Sequence, residues 1–347
     1  MRPFLEEFGE EARTVTFLQA DFDWKQLRGW YSLLRGPAIS APGVQSTDLD
    51  EAKNRLRVEV LDSSAEGLLV DLVADLGIPA EAVIIEQRDP ILPLATLRDR
   101  LRPLEGGNKI AMPFGSCTMG FNAGWLDPFF RIRRSFLTNS HCTNSAFRPG
   151  DGVTGTKFYQ NTFTTSNLVG TEIADHFLFT GGDCPSGRQC RWSDAAVIEH
   201  ANLDSTFDIG KIHRTTLRDQ CSGSITIATS PPVFTIISEN VPSSFALVNK
   251  MGQTTGWTGK GFDSRCQDIN VLTGSGSDSG VTLLCQDVVR AGAGPGDSGS
   301  PVFVRRSSTS NEVHLSGILW GGSTTDCRFG FSPLANVELE FGDLITR

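Results

Sequence analysis

No stretch of this sequence approaches the roughly 20 consecutive apolar residues that a bilayer-spanning helix needs, so no membrane span is expected. A basic surplus is also missing. The 31 Lys and Arg stand against 40 Asp and Glu, a net charge of −9, which argues against nucleic acid as a partner. The start, MRPFLEEFGEEART, is charged and has no apolar h-region, so no signal peptide is visible. Cysteine is absent before residue 106, and among the 8 cysteines that follow there is no C-x-x-C pair. The tightest doublet is Cys184 with Cys190, which fits no common zinc spacing, and no metal site is expected.

What is present divides the chain in two. Residues 1–105 carry 19 acidic and 12 basic side chains with 6 glycines; the remainder carries 21, 19 and 30. Such a shift predicts two domains. Eight cysteines in a glycine-rich, weakly charged domain suggest disulfides, an oxidising compartment and a secreted or otherwise extracytoplasmic location. The expected organisation is a small α+β domain over 1–87, a linker over 88–109 with three prolines and a Gly-Gly end, and an all-β domain over 110–347.

The first domain reads as β-α-β-β-α-β. Thr14 to Gln19 is a candidate strand. Leu27, Trp30, Tyr31 and Leu34 then recur on one helical face. After Pro42-Gly43, two runs flanking DLDEAKN predict a hairpin, with Leu56, Val58 and Val60 alternating against Arg55, Arg57 and Glu59. Ser63 with Glu66 reads as a capping box, Ala65, Leu68, Leu69, Leu72, Val73 and Leu76 as the apolar stripe, and Gly77 as the C-terminal cap. Beyond Ile110, short apolar runs such as RSFLTNS, DAAVIEH, VTLLCQDVV and VHLSGILWGG alternate with turn residues, the pattern of a sandwich or barrel. A short terminal helix is expected in ANVELEFGDLI.

The sharpest local signal is GPGDSGSPVF, residues 294–303. Its glycines permit a tight loop that aims successive N–H groups at one point, with Ser298 at its centre. A nucleophilic serine needs a base. Of five histidines, His141 in SFLTNSHCTN follows an apolar strand and adjoins a cysteine, while His176, His200, His213 and His314 are expected at the surface. The imidazole in turn needs an enclosed carboxylate. Asp194, entering the apolar run AAVI between small neighbours, is the candidate, with Asp175 and Asp208 as competitors.

The order LTNSHC, SDAAVI, GDSGSPVF resembles the chymotrypsin-like serine proteases. CTMGFNAGW…FLTNSHCT, TTGWTG and LWGGS resemble the bacterial branch containing streptogrisins and α-lytic protease, over about residues 104–347. The resemblance implies two six-stranded antiparallel β-barrels, a serine endopeptidase activity with protein or peptide substrates, and no cofactor. It implies catalytic roles for His141, Asp194 and Ser298, and an oxyanion hole at Gly296 and Ser298. It also places Gly292, Ala293, Leu319, Trp320 and Gly321 against substrate. A Cys117–Cys142 bridge matches the one bracketing the catalytic histidine. Cys184–Cys190 and Cys266–Cys285 are local candidate pairs, which leaves Cys221 and Cys327 as a bridge or as free thiols. The first domain resembles the pro-regions of this branch, which assist folding and then inhibit. The alternative to a working enzyme is a latent protease-fold binding module.

The resemblance breaks at two places. Gln253 stands where the branch carries an arginine that pairs with the aspartate before the nucleophile, leaving Lys250 or an α-amino group freed near Ile110 to meet Asp297. The cysteine usually found just before the nucleophile is absent from Ala291-Gly292-Ala293-Gly294.

Overall fold

The computed structural model describes residues 19–91, 93–144, 148–150, 152–160, 162–201, 207–273, 276–323 and 325–347. The expected strand at Thr14 to Gln19 lies, apart from Gln19, outside the described residues. The chain forms two compact units that divide between Pro93 and Leu94.

In the first unit a helix spans Trp24–Ile39, with Asp23 and Gln26 capping each other's backbone N–H reciprocally. Its Leu27, Leu34 and Ala38 are buried, and Trp30 and Tyr31 pack beside them. The hairpin Val44–Asp50 and Arg55–Val60 is antiparallel, and Val83–Gln87 adds to it in parallel. Leu56, Val58 and Val60 face the helices. The second helix, Ser63–Asp75, corrects the expected cap. Asp62, not Ser63, has the extended backbone, and its carboxylate accepts from Ala65 N at 2.9 Å. A carboxylate there also complements the helix dipole. The buried stripe is narrower than expected: Ala65, Leu69 and Val73 are enclosed while Leu68 is exposed. Gly77 closes the helix at φ +66°.

The second unit is mostly β, with strands in an 8-stranded and a 12-stranded sheet. It begins earlier than the sequence suggests. Leu97 is fully buried and donates its N–H to Ile225 O, and Leu104–Gly106 is a strand parallel to Phe207–His213. Most of the expected linker, from Leu94 on, therefore belongs to the second unit, because Leu97 and Leu104 find apolar surface despite the prolines around them.

In the 8-stranded sheet, Ile132–Thr138 pairs with Ala196–His200 on one side and Asn122–Leu126 on the other. In the larger sheet, Pro301–Arg305 lies between Val248–Gly252 and Glu312–Ser323. Phe121, Phe234, Trp257, Phe303 and Leu315 anchor the main core, and a helix, Leu334–Phe341, closes against it. Four disulfides form: Cys117–Cys142, Cys184–Cys190, Cys221–Cys327 and Cys266–Cys285. No helix among the described residues is long and apolar enough to cross a membrane.

Candidate active site

Antiparallel pairing of Ile132–Thr138 with Ala196–His200 sets Thr138 opposite Ala196, so the segments that leave these two ends run close together. One turns through Ser140–Cys142 and carries His141; the other carries Asp194. Asp194 spends both carboxylate oxygens on this one residue. Oδ1 accepts from His141 N at 3.0 Å and Oδ2 lies 2.6 Å from Nδ1. The Asp194 side chain is 1% exposed and that of His141 14%. In a neutral imidazole, a carboxylate at Nδ1 holds the proton on that nitrogen and leaves Nε2 as the acceptor. Asn139 Nδ2 holds Asp194 O at 2.6 Å, and Ser332 Oγ receives Asp194 N at 3.1 Å.

The loop of Ser298 is clamped through its carbonyls. Thr254 Oγ1 donates to Pro295 O, Thr118 Oγ1 and Gln253 Nε2 to Gly296 O, Ser300 to Asp297 O, and Thr118 N to Ser298 O at 2.7 Å. Gly296 and Gly299 sit at φ +95° and +91°, and a Cβ on Gly299 would come within 2.1 Å of Thr118 O. With the carbonyls turned outward, the N–H groups of Gly296 and Ser298 make no hydrogen bond among the described residues. Thr118 also connects the two halves of the site, because the adjacent Cys117 is bonded to Cys142, the neighbour of His141.

Asp297 is wholly enclosed and meets its cation in Lys250, with Nζ to Oδ2 at 2.9 Å and both side chains at 0% exposure. All three ammonium protons are accepted, by Asp297, by Thr255 Oγ1 at 2.5 Å and by Gly256 O at 3.0 Å. The carboxylate also takes Thr255 Oγ1 and the N–H groups of Thr254 and Gly294. Burial pushes Asp297 upward, but Lys250, Thr255 and the Gly294 N–H more than offset this and hold it below the usual carboxylate range. The Gln253 amide makes no hydrogen bond to Asp297; it braces Ser116, Cys117 O and Gly296 O. Ile110 is buried in the strand Lys109–Met112, opposite Cys117, and supplies no α-amino group.

Two cavities adjoin. One, of about 810 Å³, is lined by His141, Asp194, Trp320 to Ser323 and the strand segment from Gln267 to Leu272. The other, of about 390 Å³, is lined by Ala293, Gly294, Pro295, Ser298, Leu319, Gly321, Gly322 and Ser323. They share Gly321, Gly322 and Ser323. Beyond Ile318, which pairs with Pro301, no described strand covers that edge of Trp320 to Ser323. Leu319 is different: its backbone is bonded to Gly299 and Ser300. Gly292 is packed against Cys221 O, where a Cβ would come within 2.2 Å, and it does not line the cavity. Asp326 is exposed beside Arg328 and does not line it either.

Neither competing carboxylate is bonded to His141 among the described residues. Asp175 is buried on Arg191 and Ser140, and the carbonyl of Asp208 accepts from Asn122. His176 is exposed and His314 half-buried, but His200 and His213 correct the expectation of surface histidines. Both are enclosed, on Asn122 and Asn108, and burial lowers them to about 3 and about 4. A neutral imidazole with an amide partner tolerates the interior. Cys117, His141 and Cys142 cluster within metal-binding reach, but both sulfurs are in the disulfide and neither is a thiolate.

No protein-family profile matches the chain, and no curated protein matches it. Solved structures do. Thermobifida fusca protease A is 20% identical over 70% of this chain and 99% of its own, with a TM-score of 0.46. Nocardiopsis protease is 19% identical over 70% and 98%, also at 0.46. Cellulomonas bogoriensis chymotrypsin is 18% identical over 70% and 98%, at 0.43.

Proposed function

We propose that the second unit is a serine endopeptidase that hydrolyses peptide bonds through an acyl-enzyme on Ser298. His141 is the general base and Asp194 the carboxylate that orients it. The observation that carries the reading is the commitment of both Asp194 oxygens to His141, at 3.0 and 2.6 Å, in a pair whose imidazole still reaches solvent. In this mechanism Ser298 Oγ attacks the scissile carbonyl while its proton passes to His141 Nε2. The unengaged N–H groups of Gly296 and Ser298 receive the oxyanion. The imidazolium, stabilised by Asp194, returns the proton to the leaving amine. Water then attacks the acyl carbonyl, again giving its proton to His141 and releasing the product acid.

Substrate backbone would add to the open edge at Trp320 and Gly321, a form of β-augmentation. Its side chain before the cleaved bond would enter the smaller cavity, with Ala293 on the wall. On this reading six strands of each sheet close into a barrel, His141 and Asp194 belonging to the first and Ser298 to the second. Four disulfides favour an oxidising, extracytoplasmic setting. The first unit serves as folding helper and inhibitor of the second.

A fluorophosphonate probe tests the chemistry. Labelling that maps to Ser298 and disappears in Ser298→Ala and His141→Ala is the expected result. A folded chain, processed to free the second unit from the first, that takes no label has no activated serine, and the latent binding module replaces this reading.

A further inference from the structure

The buried charges that this chemistry leaves unused converge on Arg191, whose side chain is 0% exposed. All five of its N–H groups are accepted. Nε reaches Glu340 Oε1 at 3.4 Å, Nη1 reaches Asp175 Oδ1 at 2.6 Å and His176 O at 3.1 Å, and Nη2 reaches Ala195 O at 2.9 Å and Glu340 Oε2 at 2.8 Å. Each carboxylate then extends to a neighbour of the His141–Asp194 pair. Asp175 Oδ2 accepts from Ser140 Oγ at 2.8 Å, one residue before His141, and that oxygen in turn holds Gly150 N. Glu340 accepts from Trp192 N at 2.9 Å, Ser193 N at 3.2 Å and Ser193 Oγ at 2.6 Å, the two residues before Asp194. Ala195, whose carbonyl Arg191 takes directly, is the residue after it.

A buried ion triad is commonly no more stabilising than apolar side chains of the same volume, so stability alone is a weak reason for this one. What apolar packing cannot supply is direction. The guanidinium is planar and rigid, and its five donors fix two carboxylates and two carbonyls in one frame. The charges facing that frame are Asp175, Glu340 and Asp194 around Arg191, with Glu172 beside Asp175.

We propose that Arg191 is a positioning residue for the His141–Asp194 pair, holding through Asp175 and Glu340 the two segments from which that pair projects. This rests on the reading of the pair as base and orienting carboxylate. Two measurements on protein folded as the full chain, processed where turnover is read, test it. In the active protein, Arg191→Lys and Glu340→Gln should each lower kcat by about 10- to 100-fold, the scale of a small misplacement of reacting groups. KM should stay within about twofold, since substrate contacts are untouched. In a Ser298→Ala background, where no turnover is needed, both should shift or broaden the downfield proton resonance of the His141 Nδ1–H bonded to Asp194. Should Arg191→Lys not fold, Glu340→Gln, which keeps the side-chain shape, decides. An unmoved resonance in folded Glu340→Gln overturns the proposal, whether or not the chain hydrolyses peptides. Absence of turnover in the unsubstituted protein bears on the proposed function alone.

Discussion

A carboxylate enclosed as fully as Asp297 costs several kcal/mol unless a cation and donors meet it, and this chain meets it from Lys250, five residues before Thr255 rather than from Gln253. The arrangement has a measurable consequence. Lys250→Met should destabilise the second unit by about 3–5 kcal/mol, the usual cost of stranding a buried charge. Urea unfolding in a Ser298→Ala background would measure it without self-digestion, and a loss under 1 kcal/mol would mean that the backbone donors alone suffice. The proposed triad predicts a different signature: Ser298→Ala and His141→Ala should each cost of order 10⁶ in kcat, and the double variant no more, because the residues act as a unit. His200 supplies a pH test. Burial holds its folded pKa near 3, below the unfolded value of about 6.5. The folded state therefore binds fewer protons, and the stability this neutral imidazole contributes is complete above pH 6.5 and lost as pH falls toward 3, by up to about 1.4 kcal/mol per unit. His200→Gln should flatten the fall in urea midpoint between pH 6.5 and 4; parallel curves for the two proteins would mean that another group carries the acid sensitivity.

At the level of elements, what could be read from the chain followed the strength of local signals. Alternation announced the hairpin at Leu56, Val58 and Val60, because a half-buried strand leaves a two-residue period that no helix shares. The helix cap lies at Asp62, one residue before the expected Ser63, since both satisfy the same composition rule and only the backbone angle separates them. Residues 88–109 read as linker because three prolines and Gly-Gly outweigh scattered leucines locally, yet Leu97 and Leu104 are buried. Their burial depends on Ile225 and Phe207–His213, more than 100 positions away. The motifs around His141, Asp194 and Ser298 stand out because glycines, cysteine and small residues are compressed there. Thr118, Arg191 and Glu340 carry no such mark, for Thr118 and Glu340 bind partners remote in sequence, Arg191 reaches Glu340 across 149 positions, and their residue types are common. One element invites a prediction of its own. The 390 Å³ cavity is walled by Ala293, Gly294 and Leu319, and no carboxylate lines it. Cleavage after apolar or aromatic residues should therefore exceed cleavage after Arg or Lys. Burial there is worth about 1.5–3 kcal/mol. Ala293→Val should shift the preference from Phe toward smaller side chains. A peptide-library profile dominated by Arg and Lys would overturn the assignment of this cavity.

For the whole molecule the governing fact is how far apart in sequence the pairing partners lie. Leu344–Ile345 closes on Asn122–Leu126, Leu104–Gly106 on Phe207–His213, and Cys221 bonds to Cys327 across 106 residues. Chain entropy must be lost before such contacts reward it, so the second unit should fold slowly. The first unit is the opposite: two capped helices and a hairpin made of neighbouring segments, which can form early. A fast-folding unit joined ahead of a slow one is suited to act as its template, and the proposal of a folding helper follows from that contrast in topology. Residues 94–347 refolded alone under oxidising conditions should then recover little activity, while the full chain, processed after refolding, recovers well. Adding residues 1–93 as a separate fragment should rescue the yield at low ratio and suppress hydrolysis of a small ester at excess. The ester matters, because suppression of so small a substrate requires the reacting groups themselves to be covered. If residues 94–347 refold efficiently unaided and excess fragment leaves ester hydrolysis untouched, the first unit has neither role, and the slow topology is managed by the second unit's own disulfides.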